Sequence, residues 1–297
     1  MPCYFPLTAY QCLDRSIVFV ERSFHDTVRT LQLPCGQCVG CRLERSRQWA
    51  VRCLHEASLH EHNCFITLTY ADESLPAGNS LVYRDFQLFL KRLRRRVKRK
   101  VSFYMCGEYG EQFGRPHFHA CLFGYDFPDR VYFRTGESGE KLYQSTMLSS
   151  LWSSGFSSLG DVTFESAAYV ARYVMKKVTG RLADEHYRTV DVSTGEIFDR
   201  TPEFCHMSLK PGIGARWLER FRSDVYPEGK VVVRGVKCNP PRFYDKKFKE
   251  LDEGGYELLR REREFDARKR VDDNTPERLV VKSIVAEARI AALKRTI

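Results

Sequence analysis

The chain has 297 residues, 43% of them apolar and 29% charged, a balance that suits a globular protein with a sizeable core and excludes a disordered chain. Its 48 Lys and Arg against 38 Asp and Glu leave a formal charge of +10, which points to a polyanionic partner, because basic side chains gain affinity by releasing counterions from phosphates. No run approaches the ~18 apolar residues of a membrane span. The opening MPCYFPLTAY lacks a charged leader and an apolar h-region, so the expected address is a cytoplasm, with the 11 cysteines reduced.

Residues 1–60 read as a Cys-rich region that ends in a helix, CRLERSRQWAVRCLHEASLH. Cys35, Cys38 and Cys41 are spaced C-x2-C-x2-C, with Gly36 and Gly40 permitting tight turns. Three thiolates at this spacing suit a structural zinc ion and want a fourth ligand. An iron–sulfur cluster fits less well, since no further cysteine follows at the C-x3-C-P spacing. Cys53, Cys64, Cys106, Cys121, Cys205 and Cys238 stand singly and read as small core residues.

Residues 61–180 alternate strand-like and helix-like segments. CFITLTY (64–70) is a short β-rich run, and a turn at Pro76–Asn79 leads into an amphipathic helix with Phe86, Phe89, Leu90, Leu93 and Val97 on one side. That helix runs into KRLRRRVKRK, where Lys91 to Lys100 hold eight basic residues in ten. Like charges at this density repel unless a partner neutralises them, so nucleic acid is the expected partner. VSFYMCGEY (101–109) and HFHACLF (117–123) read as two strands of a hairpin, and a helix is expected near 166–178. The order β–α–β–β–α predicts an α+β fold, a central antiparallel sheet with helices packed on its faces. Residues 181–297 give weaker signals until a charged helical tail after about 245, where Asn274-Thr275-Pro276-Glu277 looks like a helix start.

On a strand, His117 and His119 point to one side, and Phe118, Ala120 and Leu122 point to the other, into the core. Two imidazoles on a rigid strand are placed to ligate one ion, and an ion used for phosphate chemistry also wants an oxygen. Glu108, across the hairpin, and Glu111, in its loop, are the candidates. In ESAAYVARYVMKKVTG, at ~100° per residue, Tyr169, Tyr173 and Lys176 share one helix face with Arg172 at its edge. Ala167, Val170, Ala171, Val174 and Val178 share another. A phenol is a poor nucleophile until a cation offsets the phenolate charge, and a bound metal can polarise the phosphodiester it attacks. The histidine pair, the phenols and the basic helix together suggest one apparatus for breaking a phosphodiester by transesterification.

FITLTY, GRPHFHACLFG and YVARYVMKK, in that order, resemble the three motifs of the HUH endonuclease superfamily. LPCGQCVGCRLERSRQWA, FYMCGEYGEQFGRPHFHACLFG, TFESAAYVARYVMKK and HMSLKPGIG are similar to stretches of the replication initiators of gokushovirus-type microviruses, over most of residues 1 to about 245. The resemblance implies a nuclease core with a ferredoxin- or RRM-like palm. It implies His117, His119 and Glu108 as ligands of Mg²⁺ or Mn²⁺, and Tyr169 and Tyr173 as the nucleophiles of a two-tyrosine rolling-circle initiator, with Lys176 orienting a phosphate. It also favours Cys3 over Cys12 as the fourth zinc ligand. Origin DNA, single-stranded or melted, is the implied partner, with host helicase or polymerase in attendance, no membrane, and the host bacterial cytoplasm as the address. Lys91, Arg92, Arg94, Arg95, Arg96, Lys98, Arg99, Arg115 and Lys177 are the candidate DNA contacts.

Three rivals compete with this expectation. A histidine-triad hydrolase also alternates histidines on a strand, but here Cys121 stands where its third histidine would be. A single-tyrosine HUH transposase would use the same metal pair without the second tyrosine. A non-catalytic, zinc-containing basic protein would bind DNA and form no covalent product.

Overall fold

The computed structural model describes residues 3–20, 26–110, 113–136, 139–172, 177–178, 182–190 and 194–292. The chain opens with β1 (Leu7–Cys12), β2 (Ile17–Val18), β3 (Thr27–Leu33) and α1 (Val39–Ala57). There follow β4 (Asn63–Tyr70), α2 (Tyr83–Val97), β5 (Ser102–Tyr109), β6 (Pro116–Phe123), β7 (Val131–Thr135), β8 (Lys141–Gln144), α3 (Thr146–Leu151), β9 (Gly155–Gly160) and α4 (Phe164–Arg172). Beyond these lie α5 (Ala183–Tyr187), β10 (Arg188–Val190), β11 (Ile197–Asp199), β12 (Phe204–Met207), α6 (Ala215–Val225), β13 (Val231–Val233) and β14 (Val236–Cys238). The tail is α7 (Arg242–Leu251), α8 (Glu253–Arg268) and α9 (Pro276–Ala292).

The chain divides into two compact units, one of Met1–Arg45 with Phe248–Arg295, the other centred on Ser46–Lys247. In the first, β2, β1 and β3 form a small antiparallel sheet in that order. Its tail helices start on recognisable signals. The Asp252 carboxylate accepts from the Gly255 N–H at 2.8 Å to cap α8, and α9 begins at Pro276, whose missing N–H costs nothing in a first turn.

The second unit holds, among the described residues, a seven-stranded sheet in the order β12-β5-β6-β4-β9-β8-β7. Every neighbouring pair is antiparallel. The fold is therefore α+β with a large antiparallel sheet flanked by helices, as the order of segments predicts. β5 and β6 are buried on both faces along most of their length, which explains why HFHACLF reads as a nearly continuous apolar run. One face carries Phe118, Ala120, Leu122, Ile66 and Leu68 against Phe86, Phe89, Leu90 and Leu93 of α2, with Trp152 beside them. The other carries Phe65, Tyr104, Cys106, Cys121 and Phe123 against Ala50 and Cys53 of α1 and Ala167, Val170 and Ala171 of α4. Phe118 is fully buried, so truncating it to Ala would cost about 3–5 kcal/mol.

Four strands of this sheet escape the sequence reading. β12 is four residues, too short to show a period, and β7 is exposed along its whole length, so no apolar face marks it. β8 is likewise four residues long. β9 is the polar run GFSSLG, and its first residue needs glycine: Gly155 has φ +154°, and a Cβ there would lie 2.3 Å from the Thr69 carbonyl oxygen and from the Ala71 nitrogen. The expected helix over 166–178 begins at Phe164 and is described to Arg172. Among the described residues no helix is long and apolar enough to cross a membrane.

Candidate metal centre

The hairpin sets the site. β5 and β6 pair with Glu108 opposite His117 and Cys106 opposite His119, while β4 places Thr69 opposite His117 and Thr67 opposite His119. Residues directly opposite on antiparallel strands share a face, so Glu108, His117 and Thr69 form one row and Cys106, His119 and Thr67 the next. The His117 Nε2 and His119 Nε2 atoms lie 2.6 and 2.9 Å from one oxygen, Glu108 Oε1. Glu108 is 2% exposed and His119 4%. Burial pushes the Glu108 carboxyl up, but hydrogen bonds from His117 and His119 outweigh it and hold the group below its usual range.

The far sides of both rings are pinned. His117 Nδ1 sits 2.9 Å from the Arg115 carbonyl, which can only accept, so Nδ1 carries the proton. Nε2 is then the atom left facing Glu108, a donor in a charged ring and a metal-ligating lone pair in a neutral one. His119 Nδ1 sits 2.9 Å from the Thr67 hydroxyl, which can donate or accept and so suits either tautomer. The second carboxylate oxygen, Glu108 Oε2, is buried without a hydrogen-bond partner among the described residues. Ligand atoms of Glu108, His117 and His119 all lie within 4.8 Å of one another. Two nitrogens and an ionised oxygen so arranged fit a divalent cation.

α4 adds a hydroxyl to this group. Its first turn is fixed by a reciprocal cap, in which Thr163 Oγ1 accepts from the Ser166 N–H at 3.1 Å and Ser166 Oγ accepts from the Thr163 N–H at 2.8 Å. With Ala167, Val170 and Ala171 packed on the sheet, the partly exposed Tyr169 turns toward the histidines. Its ring meets His119 edge-to-face at a centroid distance of 4.9 Å, and its hydroxyl donates to Glu108 Oε1 at 3.4 Å. Tyr173, Lys176 and the alternative ligand Glu111 lie outside the described residues.

The cysteines also converge. Cys3, Cys35, Cys38 and Cys41 place their sulfurs within 4.8 Å of one another, whereas Cys12, on β1, is not in the group. Backbone N–H groups point at these sulfurs: Cys35 N to Cys3 Sγ at 3.3 Å, Cys38 N to Cys35 Sγ at 3.3 Å, and Tyr4 N to Cys38 Sγ at 3.4 Å. Against the desolvation that opposes it, the N–H groups of Tyr4 and Cys41 help pull the Cys38 thiol down to about 6. The neighbouring Cys41 thiol is pushed up to about 12 by burial and by its thiol neighbours. Four sulfurs in this setting suit a zinc-type site.

The basic helix is not part of the histidine site. α2 packs on the Phe118 face, opposite the histidines, and its basic C-terminus leads into the start of β5. Glu108 lies six residues beyond Ser102, about 20 Å along the strand at ~3.4 Å per residue. The sequence suggests a single apparatus of helix and histidines; helical periodicity places the apolar stripe of α2 on a sheet but cannot say on which face, and that face is the one away from the histidines. Some of its cations are also used within the fold. Arg94 Nη2 donates to the Val101 carbonyl at 2.6 Å and Arg92 Nε to the Leu151 carbonyl at 2.9 Å. Lys91, Arg95, Arg96, Lys98, Arg99 and Lys177 are exposed. Arg115 Nη1 donates to the Tyr70 carbonyl at 2.8 Å, and its other nitrogen pairs with Asp72. Thr67 and the Arg115 carbonyl, which orient the rings, were not singled out from sequence. Alternation marks Thr67 on the face of Phe65 and Thr69, but only the register of β4 on β6 ties it to His119.

An antiparallel sheet with a His-x-His pair and a buried carboxylate on its inner strands, approached by a tyrosine hydroxyl from a covering helix, defines a site of metal-ligating character on an α+β frame. The family model for replication-associated protein ORF2/G2P matches residues 63–178, which span β4 through α4. The chain is 32% identical over 259 residues to replication-associated protein VP4 of Bdellovibrio phage phiMH2K, covering 84% of this chain and 78% of that one. To replication-associated protein ORF2 of Spiroplasma virus 4 it is 31% identical over 253 residues, 80% of this chain and 74% of the relative. To replication-associated protein ORF4 of Chlamydia phage 1 it is 37% identical over 221 residues, 71% and 52% of the two chains. The chain belongs to this family, the replication-associated proteins of microvirus-type phages. No solved structure matches it.

Proposed function

We propose that the protein is a rolling-circle replication initiator that nicks the origin strand of a single-stranded DNA phage by tyrosine transesterification, in the manner of HUH endonucleases. The observation that carries the proposal is the convergence of the Tyr169 hydroxyl, His117 Nε2 and His119 Nε2 on Glu108 Oε1, at 3.4, 2.6 and 2.9 Å. Glu108, His117 and His119 hold the divalent ion, and Mn²⁺ fits two nitrogens and one oxygen better than Mg²⁺, which prefers oxygens throughout. When bound, that ion polarises the scissile phosphate and offsets charge on the attacking phenolate.

Tyr169 supplies the oxygen that attacks phosphorus. The Tyr–O–P bond forms as the bond to the 3′ oxygen breaks; the phenol gives up its proton, and the departing 3′ oxygen takes one up to leave as a 3′-OH primer. The bond energy is kept in a 5′-phosphotyrosine diester. Tyr173, four residues on, takes the second cut after one round, so that strand transfer closes the displaced strand into a circle, and Lys176 orients a phosphate. The sequence spacing supports this: i, i+4 is the separation at which two side chains of a helix can serve one centre in turn. Zinc occupies the four-cysteine group of the Cys-rich region 1–60, residues 61–180 are the nuclease core, and residues 181–297 form the C-terminal region. Origin DNA in the host cytoplasm is the substrate, with host helicase and polymerase acting downstream.

The test is incubation with Mn²⁺ or Mg²⁺ and single-stranded oligonucleotides tiling the replicon, read as a protein–DNA band that survives SDS. His117→Ala and His119→Ala should abolish cutting and leave DNA binding largely intact. Salt-sensitive binding with no adduct anywhere along the replicon supports the non-catalytic DNA-binding protein instead.

A further inference from the structure

The row that carries the metal group continues across the sheet. β4 pairs with β9 so that Thr69 faces Phe156 and Thr67 faces Ser158, which puts Glu108, His117, Thr69 and Phe156 in one line on one face. β9 is an inner strand, between β4 and β8, on a face whose neighbouring rows are covered by α1 and α4. Phe156 is nevertheless 71% exposed. The next residue on that face, Ser158, is half-buried, as are Thr67 and Thr69, so the aromatic ring stands among hydroxyls rather than in an apolar patch. The half-buried Arg115 is fastened to the Tyr70 carbonyl, and Tyr70 pairs with Gly155, the residue before Phe156. A lone exposed aromatic needs no explanation in general. One held in register with the metal group, with Thr69 opposite and Ser158 two residues on, and with the Arg115 guanidinium held by the Tyr70 carbonyl and Asp72 one strand over, has the composition of a base-stacking platform.

We infer that Phe156 stacks on a nucleobase of the single strand whose phosphate lies at the histidine site, and so positions that strand for cleavage. The inference rests on the nuclease reading above and adds the strand's path: from His117 across β4 to β9. Two strand spacings separate His117 from Phe156, roughly 10 Å at ~4.8 Å each. That is about three nucleotides of a stacked strand at ~3.4 Å per nucleotide, and fewer of an extended one. Phe156 is a positioning residue; it touches the bound strand but not the reacting atoms. Because every base has a π-face, the platform tolerates sequence, and it adds affinity without reading the origin.

The experiment measures binding without divalent ion, apart from cleavage. Full-length wild type, Phe156→Ala and Phe156→Trp are titrated with a short fluorescein-labelled oligothymidylate and with an abasic strand of the same length. Phe156→Ala should weaken oligothymidylate binding about 5- to 100-fold, leave the abasic strand unchanged, and be rescued by Phe156→Trp. Emission from the tryptophan introduced by Phe156→Trp, taken as the difference from wild type, should be quenched by oligothymidylate and not by the abasic strand. Equal affinities of wild type and Phe156→Ala for oligothymidylate, or an unquenched tryptophan, overturn the inference. So does a variant whose only change is loss of self-association, which would make the face a protein contact. The adduct assay on wild type is run beside it: absence of adducts with intact quenching removes the nuclease reading and leaves Phe156 as a strand-binding residue, whereas adducts without quenching do the reverse.

Discussion

Replacing Glu108 with Gln removes one charge from the candidate metal centre and little else. Glutamine has nearly the same shape, and its amide can still meet an imidazole at the 2.6 or 2.9 Å positions now taken by His117 Nε2 and His119 Nε2. What it lacks is the negative oxygen a divalent ion needs. In wild type, an ion at about 100 times its Kd stabilises the folded state by RT ln(1 + [L]/Kd), about 2.7 kcal/mol. For a unit the size of Ser46–Lys247, each kcal/mol moves the melting temperature by about 2–4 °C, so Mn²⁺ should raise Tm by about 5–11 °C. Loss of an outer partner of a metal ligand typically weakens binding about 10–100-fold, and loss of a ligand itself costs at least as much. At 100-fold the same Mn²⁺ concentration equals the new Kd, leaving about 0.4 kcal/mol and a shift of about 1 °C. Scanning fluorimetry of both proteins, in chelator and then in a Mn²⁺ titration, measures this directly. A Glu108→Gln shift as large as wild type's, or no shift in wild type, refutes the reasoning.

Three further outcomes follow from other parts of the chain. Elemental analysis of Cys3→Ala should give well under one zinc per protein while Cys12→Ala keeps it; the opposite pattern would move the fourth thiolate. Neutralising Arg95, Arg96 and Lys98 together should reduce the slope of log K against log salt for single-stranded DNA by about 2, at ~0.7 per phosphate contact, without changing the cleavage rate at saturating DNA, since these side chains belong to a helix on the face away from the histidines. A lost rate with an unchanged slope would place them in the nicking site instead. His55 is buried, stacked on Trp217 at 3.5 Å with Nδ1 3.0 Å from the Tyr244 hydroxyl, and burial pushes its pKa down to about 4 from 6.5. The unfolded chain therefore takes up this proton first. Stability from the group is complete above pH 6.5 and falls as pH drops toward 4, by about 3 kcal/mol in all at ~1.4 kcal/mol per pH unit. Urea midpoints at neutral and acid pH should lie further apart in wild type than in His55→Phe, and parallel losses in the two proteins would contradict this.

The parts of the site that were legible in sequence are those that period and pairing control. A two-residue period puts His117 and His119 on one side, and the hairpin offers Glu108, which pairs opposite His117, as a partner that the family resemblance favours over Glu111. The α4 face with Tyr169 was legible for the same reason, because Ala167, Val170 and Ala171 fix which side of the helix lies down. Position across the sheet was not legible. β4 is central only because β9 joins its free edge, and β9 is a polar, glycine-led strand with no apolar alternation to announce it. Without β9 there is no row beyond Thr69 and no reason to notice Phe156. The face chosen by α2 was hidden likewise, since an apolar stripe packs equally well on either side of a sheet that is buried on both. Cys3 joins a cluster more than thirty residues away through N–H···S contacts such as Cys35 N to Cys3 Sγ at 3.3 Å, and no local period encodes that closure.

The central claim is that Tyr169 or Tyr173 becomes covalently joined to DNA at the histidine site. The measurement that bears on it most directly is mass spectrometry of the proteolysed adduct formed with Mn²⁺ on a replicon oligonucleotide. A nucleotide on Tyr169 or Tyr173 is the predicted result, with adducts surviving in Tyr169→Phe through Tyr173 and vanishing in the double Phe variant. A nucleotide carried on any other residue, or adducts that persist in the double variant, would contradict the account.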